Sequence, residues 1–114
     1  MKYLFFLILT MLCFSCNNDT ASLKVQNKVH NVRLESINWG DYPIAYSLIT
    51  GETSEEYVIE DKAGTFPKIN KLKFLMVGNG KQVYLETKAY YQLDADQTLT
   101  IVVSDTTAVT NPAK

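Results

Sequence analysis

The sequence is poor in the residues that most catalytic and metal sites require. It has one histidine, His30, and two cysteines, Cys13 and Cys16, both within the first sixteen positions. A hydrolytic triad needs a positioned base, but no Gly-x-Ser-x-Gly elbow accompanies His30, which we expect on a surface or edge strand. Zinc sites need several Cys and His ligands. We therefore predict a non-enzymatic protein with no metal and no cofactor. The alternative is an enzyme or enzyme inhibitor whose site matches no familiar motif.

The sequence also lacks an excess of charge of one sign. Eleven Lys and Arg stand against twelve Asp and Glu, and no basic patch is interleaved with aromatics, so nucleic-acid binding finds no support. Asp94, Asp96 and Thr98 alternate as in the first half of a calcium loop, but the loop glycine is missing and a strand follows. We interpret these carboxylates as turn residues.

Long apolar runs are absent except at the N-terminus. Tyr3 to Phe14 is almost unbroken, follows Lys2 and ends at Ser15-Cys16. A positive charge, a short apolar core and a small residue before the break are typical of a secretory signal peptide, here residues 1–15. The run is shorter than the roughly 20 residues of a spanning helix. Because no second run follows, a polytopic membrane protein is excluded.

The segment LCFSC, residues 12–16, resembles the lipobox of bacterial lipoproteins, with Ser15 as the small residue at the cleavage position. Cys13 and Phe14 depart from the strict pattern, and this looser form, followed by Asn and Asp, resembles lipoproteins of the Bacteroidota type. The resemblance implies cleavage between Ser15 and Cys16, and lipidation (palmitate and related chains) of Cys16. Two or more chains, at about 0.8 kcal/mol per buried CH₂, anchor a protein stably. The alternatives are an ordinary secreted protein or an uncleaved amphiphilic N-terminus.

The same resemblance implies a location in the outer membrane. Surface export of such lipoproteins is associated with several acidic residues just after the lipidated cysteine, and here only Asp19 qualifies. A periplasm-facing position is therefore favoured over the cell surface.

Removal of residues 1–15 leaves 99 residues, which is enough for one domain. A chain of this size buries roughly 60–70% of its unfolded surface and holds a core without disulfides. We predict a lipidated tether over 16–22, a folded domain over 23–104 and a flexible tail over 105–114, because both ends are polar and lack periodicity.

Between those limits, period-two alternation and turn signals every 8–12 residues predict six to seven strands and no helix. The strongest signal is Asn79-Gly80 between two apolar runs, which predicts a type I′ hairpin. In that register, residues whose numbers sum to 159 are paired, so Phe74 faces Leu85 and Lys73 faces Glu86.

The predicted fold class is all-β, a small antiparallel β-sandwich. The segment YYQLDADQTLTI, residues 90–101, resembles the corner before a late strand in immunoglobulin-like and fibronectin-like domains. This resemblance implies an Ig-like sandwich, with a small open barrel as the alternative. GETSEEY, residues 51–57, is similar to segments of small Bacteroidota lipoproteins with Ig-like domains, a group with no assigned activity.

The candidate binding residues lie in two loops, with Trp39 and Tyr42 in the first and Glu52 and Glu55 in the second. Exposed aromatics stack on sugars or anchor protein partners, whereas buried ones would cap the sandwich. Acidic residues over 52–61 and lysines over 68–73 form either a docking surface or ion pairs across a solvated face. We predict a membrane-anchored module that binds an envelope protein or glycan. The alternative is a carbohydrate-binding accessory of a surface glycan system.

Overall fold

The computed structural model describes residues 19–61 and 64–112. The predicted signal peptide, its cleavage at Ser15 and the lipidation of Cys16 lie outside these residues. The described residues form ten strands: β1 Asp19–Lys28, β2 Arg33–Trp39, β3 Tyr42–Leu48, β4 Tyr57–Asp61, β5 Lys68–Asn70, β6 Leu72–Gly78, β7 Lys81–Thr87, β8 Tyr91–Leu93, β9 Thr98–Ser104 and β10 Val109–Thr110.

The strands form two main sheets and a small ribbon. One sheet has the order β4-β1-β9, the other β10-β7-β6-β2-β3, and β5 pairs with β8. The first strand runs antiparallel to β4 and parallel to β9. The remaining pairings among the described strands are antiparallel. The predicted all-β sandwich is confirmed, and its pairings are antiparallel except for that of β1 with β9. Seven strands have five or more residues, as predicted, and the short β5, β8 and β10 were not foreseen.

A single apolar core lies between the sheets, because alternate residues of each strand point inward. In β1 these are Ala21, Leu23 and Val25, and in β9 they are Ile101 and Val103. The five-stranded sheet and β8 supply the opposing side chains, each contributing roughly 1.5–3 kcal/mol by burial. The fully buried side chains on this side of the core include Leu34, Ile37, Trp39, Leu72, Phe74 and Leu93.

The β6–β7 hairpin has the predicted register. Phe74 pairs with Leu85 and Lys73 with Glu86, and positive φ angles at Asn79 (52°) and Gly80 (71°) are those of a type I′ turn. The closest lysine to Glu86 in an ion pair is Lys71, with Nζ and Oε1 3.8 Å apart. Lys73 is thus the partner of Glu86 in the backbone register, whereas Lys71 forms the ion pair with it.

The strand boundaries extend beyond the predicted domain at both ends. β1 begins at Asp19, so Asp19 to Ser22, predicted as tether, pair with β4. In the predicted tail, Val109 and Thr110 pair with Thr87 and Glu86. Polar residues join these strands because the neighbouring backbones supply the hydrogen bonds, which local hydropathy does not reveal. Across residues 19–61 and 64–112, no helix has the length and apolar character needed to cross a membrane.

Candidate binding site

The turn between β2 and β3 is packed tightly against β5. Gly40 has φ +60°, and its amide donates to the Lys71 carbonyl at 3.1 Å. A Cβ at Gly40 would lie 2.5 Å from the Asn70 Cγ, so a larger residue would have to displace that side chain. The glycine therefore brings the Asp41–Tyr42 segment against Asn70.

Trp39, at the end of β2, is inside the sandwich rather than on an exposed loop. Its side chain is fully buried and stacks on Tyr42, with ring centroids 5.8 Å apart. Ser36, with φ 49°, lies where the β2 register shifts, and this bulge turns both Ile37 and Trp39 inward. The capping interpretation therefore describes Trp39. Its Nε1 is a buried donor without a hydrogen-bond partner among the described residues.

Tyr42 differs from Trp39 because it is only half-buried. One side of its ring packs against Trp39, and Tyr57 lies 6.2 Å away at a tilt of 59°. Together with Asp41, Tyr42 lines a cleft of about 440 Å³, which we call the Tyr42 cleft. The remaining lining residues come from β5 and are Lys68, Ile69 and Asn70.

Lys68 is the most extensively bonded charged group of this cleft. Its Nζ donates to Thr65 Oγ1 at 2.7 Å and lies 3.4 Å from Asp61 Oδ2. The ammonium also lies 5.4 Å from the centre of the Phe66 ring. Desolvation lowers the pKa of Lys68, but hydrogen bonds to the Tyr42 hydroxyl and to Asp61 outweigh it, so this pKa is raised. The hydrogen bond to Thr65 and the ion pair with Asp61 hold the ammonium at this edge of the cleft.

The chemistry of the Tyr42 cleft suits a polar ligand. It offers a carboxylate at Asp41, an ammonium at Lys68, an amide at Asn70 and part of an aromatic ring. A few placed polar groups beside an aromatic surface give orientation and specificity in binding sites. Among residues 19–61 and 64–112, no three His, Cys, Asp or Glu side chains are grouped to hold a metal.

Glu52 and Glu55 belong to a different part of the molecule. The Glu52 carboxylate accepts a hydrogen bond from the Ile49 backbone N–H at 3.0 Å. The Glu52 backbone carbonyl accepts one from the Asn27 backbone N–H at 2.9 Å. Both glutamates are exposed. They follow the C-terminal end of β3, whereas Tyr42 begins that strand, about 20 Å away along seven residues. The structure therefore does not bring the two candidate loops into one site.

His30, Asp94 and Asp96 take part in hydrogen bonds that stabilise the fold. The exposed His30 donates its backbone N–H to Asp105 Oδ1 at 3.0 Å. Asp94 and Asp96 form the turn before β9, in which the Gln97 amide donates to the Asp94 carbonyl at 3.2 Å. The predicted pairing of the acidic and lysine segments is confirmed for Asp61 and Lys68.

Two residues escaped the sequence analysis for different reasons. Asn70 enters the Tyr42 cleft because β5 packs beside a turn thirty positions earlier, and no local pattern indicates that. Asn27 did carry a signal, because it is a polar residue near the end of an apolar alternation. It is fully buried, and its side chain donates to the Val32 and Leu48 carbonyls and accepts from the Val29 amide.

The comparisons with known proteins do not add a relative to this description. No protein-family model, no curated protein and no solved structure matches the chain.

Proposed function

We propose that this protein is a Bacteroidota-type envelope lipoprotein, held at the outer membrane by a lipid on Cys16, which acts by binding rather than by catalysis. The observation that carries the proposal is the short distance in sequence between the lipobox-like LCFSC and the folded domain. Only Asn17 and Asn18 separate Cys16 from β1. A signal peptide that ends directly at a compact domain suits an exported module tethered through its first residue.

Membrane fractionation of matched cysteine variants tests the anchor. We expect the wild-type protein and Cys13→Ser in the membrane fraction, because position 13 is removed with the signal peptide. Cys16→Ser should lose the lipid and leave that fraction. An unchanged membrane association of Cys16→Ser, or loss of association in Cys13→Ser, would contradict the assignment of the lipid to Cys16.

Periplasmic orientation is part of the proposal and is tested separately. With an epitope tag after Lys114, we expect the domain to resist added protease on intact cells and to be cleaved after the outer membrane is permeabilised. Cleavage on intact cells would place the domain on the cell surface instead.

The Tyr42 cleft is the binding surface that the contacts support best. The Tyr42 ring packs against Trp39 and Tyr57, with centroids 5.8 and 6.2 Å away, so it is oriented before a ligand arrives, which lowers the entropic cost of binding. The test compares wild type with the Tyr42→Ala and Tyr46→Ala variants for the recovery of cross-linked partners from cell envelopes. Tyr46 is 80% exposed on the same strand and is the matched control. We expect partner recovery to fall only for Tyr42→Ala, and equal recovery from both variants would overturn the site.

A glycan ligand is the second candidate, favoured by the mixture of Asp41, Lys68 and Asn70 around an aromatic edge. The buried Trp39 supplies no second stacking platform, so Tyr42 must carry the stacking alone. Binding to a panel of polysaccharides, followed by affinity electrophoresis, tests this candidate. Retardation of wild type that Tyr42→Ala abolishes would support it, and migration unaffected by every polysaccharide would reject it.

A further inference from the structure

The domain has two opposite ends, defined by the direction of β1. At the start of β1, the Asp96 amide donates to the Thr20 carbonyl at 2.6 Å, and Asp19 pairs with Asp61. We call this surface, comprising Asp19, Thr20, Glu60, Asp61 and the turn 94–97, the Asp19 end. At the other end of β1, the Gly51 backbone N–H donates to the Asn27 backbone carbonyl, and the His30 backbone N–H donates to Asp105 Oδ1. The ten residues of β1 separate the two ends by about 30 Å.

The start of β1 at Asp19 leaves very little chain between the fold and Cys16. Three residue steps join Cys16 to Asp19, which limits their separation to about 10 Å even when the chain is fully extended. A tether over 16–22 would have allowed roughly twice that reach. The Asp19 end is therefore confined close to whatever holds Cys16.

The Asp19 end is a built surface rather than a frayed terminus. The Ser22 amide donates to the Gln97 carbonyl at 2.9 Å, and the Thr65 amide donates to Asp61 Oδ2 at 2.7 Å. The first bond joins β1 to the turn before β9, the second closes the segment after β4, and strand pairing joins β4 to β1. A membrane that approaches Cys16 therefore meets an ordered surface, because the residues from Asp19 onward are paired and do not lengthen the tether.

The composition of the Asp19 end suits contact with lipid headgroups without insertion. None of its members is among the exposed large apolar side chains of the described residues. Its exposed side chains include the acidic Asp19, Glu60, Asp94 and Asp96. Asp19, held within about 10 Å of Cys16, is at the Debye length of 0.1 M salt from the bilayer surface, so anionic lipids repel its carboxylate and zwitterionic lipids do not.

We propose that the Asp19 end is the membrane-facing surface of this protein, and that the domain stands with β1 directed away from a bilayer of zwitterionic headgroups. The proposal rests on the lipid on Cys16. In this orientation the opposite end, around His30, Gly51 and Asp105, lies about 30 Å further from the headgroups. The main competing geometry lays the three-stranded sheet flat, through the outward-facing Lys24 and Lys28.

The test uses full-length lipidated protein in phosphatidylcholine vesicles that contain a headgroup-attached nitroxide quencher. A single fluorophore is coupled to a new cysteine in Ala95→Cys, Thr100→Cys or His30→Cys, all exposed positions; the lipid blocks the sulfur of Cys16. These sites lie at the Asp19 end, midway along the three-stranded sheet and at the far end. We expect quenching to decrease in that order, with His30 at the level of protein without vesicles.

The outcomes separate the orientation from the anchor. A protein that does not float with vesicles contradicts the lipid on Cys16, and with it the proposal. A protein that floats but is quenched equally at all three sites lies flat, and one quenched most at His30 is inverted; both overturn the orientation alone. Adding anionic phosphatidylglycerol should reduce quenching at Ala95 at low salt, and high salt should restore it, because the repulsion is screened. Quenching that rises with anionic lipid would contradict the role of the acidic side chains.

Discussion

Trp39 and Tyr42 pair across the β2–β3 turn with their rings stacked at 5.8 Å, and Trp39 is buried whereas Tyr42 is half-buried. Trp39 is completely buried, whereas Tyr42 reaches the Tyr42 cleft. One residue of the pair therefore belongs to the core, and the other is available to a ligand. Substitutions at the two positions should separate stability from binding.

Trp39→Ala should destabilise the fold by about 3–5 kcal/mol, the usual cost of truncating a buried large aromatic to alanine. Trp39→Phe should cost much less, because it keeps most of the packing and removes a buried donor that has no partner. Urea unfolding followed by circular dichroism measures both. Tyr42→Ala is the control, with a smaller loss expected at its half-buried position. A cost below about 1 kcal/mol for Trp39→Ala would contradict its place in the core.

Asn27→Ala should destabilise the fold by about 3 kcal/mol, since it removes three hydrogen bonds worth about 1 kcal/mol each. The bonds join the end of β1 to the following turn and to Leu48, with donor–acceptor distances of 2.9–3.0 Å. The neighbouring Gln26→Ala, on the outward face of β1, should change stability by less than about 0.5 kcal/mol. Equal effects of the two substitutions in urea unfolding would show that the Asn27 hydrogen bonds add nothing to the free energy of unfolding.

Gly80→Ala should destabilise the β6–β7 hairpin by about 1 kcal/mol, because φ +71° is costly for a residue with a Cβ. No atom lies within 4 Å of a Cβ built there, so steric crowding is not a contribution. Asn79→Gly is the matched control in the same turn, and we expect only a small change, since glycine also adopts positive φ. Thermal unfolding measures both variants, and wild-type stability of Gly80→Ala would argue against the type I′ turn.

Lys68 should make stability depend on alkaline pH. The pKa of Lys68 is raised in the fold, so its stabilising contribution is complete below the ordinary value of 10.5 and is lost as the pH rises through the folded pKa. The difference in unfolding free energy between wild type and Lys68→Met should therefore be constant up to about pH 10 and decline above it. Urea unfolding across this pH range measures the difference. A difference that stays constant above pH 10.5 would contradict the raised pKa.

Local patterns predicted those features that depend on neighbouring residues in the sequence. Asn79-Gly80 determines its own turn type, and the alternation on either side sets the register from Leu72 to Thr87. The late corner at Asp94–Gln97 is likewise a local turn. Such segments can be read without knowledge of the rest of the fold because their hydrogen bonds are short-range.

Features that depend on distant strands could not be predicted in this way. Asp19 to Ser22 become a strand because β4 pairs with all four residues and β9 joins at Ser22. Trp39 turns inward because of the bulge at Ser36, whose position depends on the pairing of β2 with β6. The Tyr42 cleft needs β5 beside the β2–β3 turn, and only the tertiary fold places Lys68 and Asn70 there.

In the proposed function, the mature protein begins at Cys16 and carries lipid there. Intact mass spectrometry of the protein from purified membranes, with fragmentation of its N-terminal peptide, tests this claim most directly. We predict a chain of residues 16–114, with the added mass of acyl chains localised to Cys16. An N-terminus elsewhere, or Cys16 without acyl chains, would contradict both the lipid anchor and the membrane-facing role of the Asp19 end.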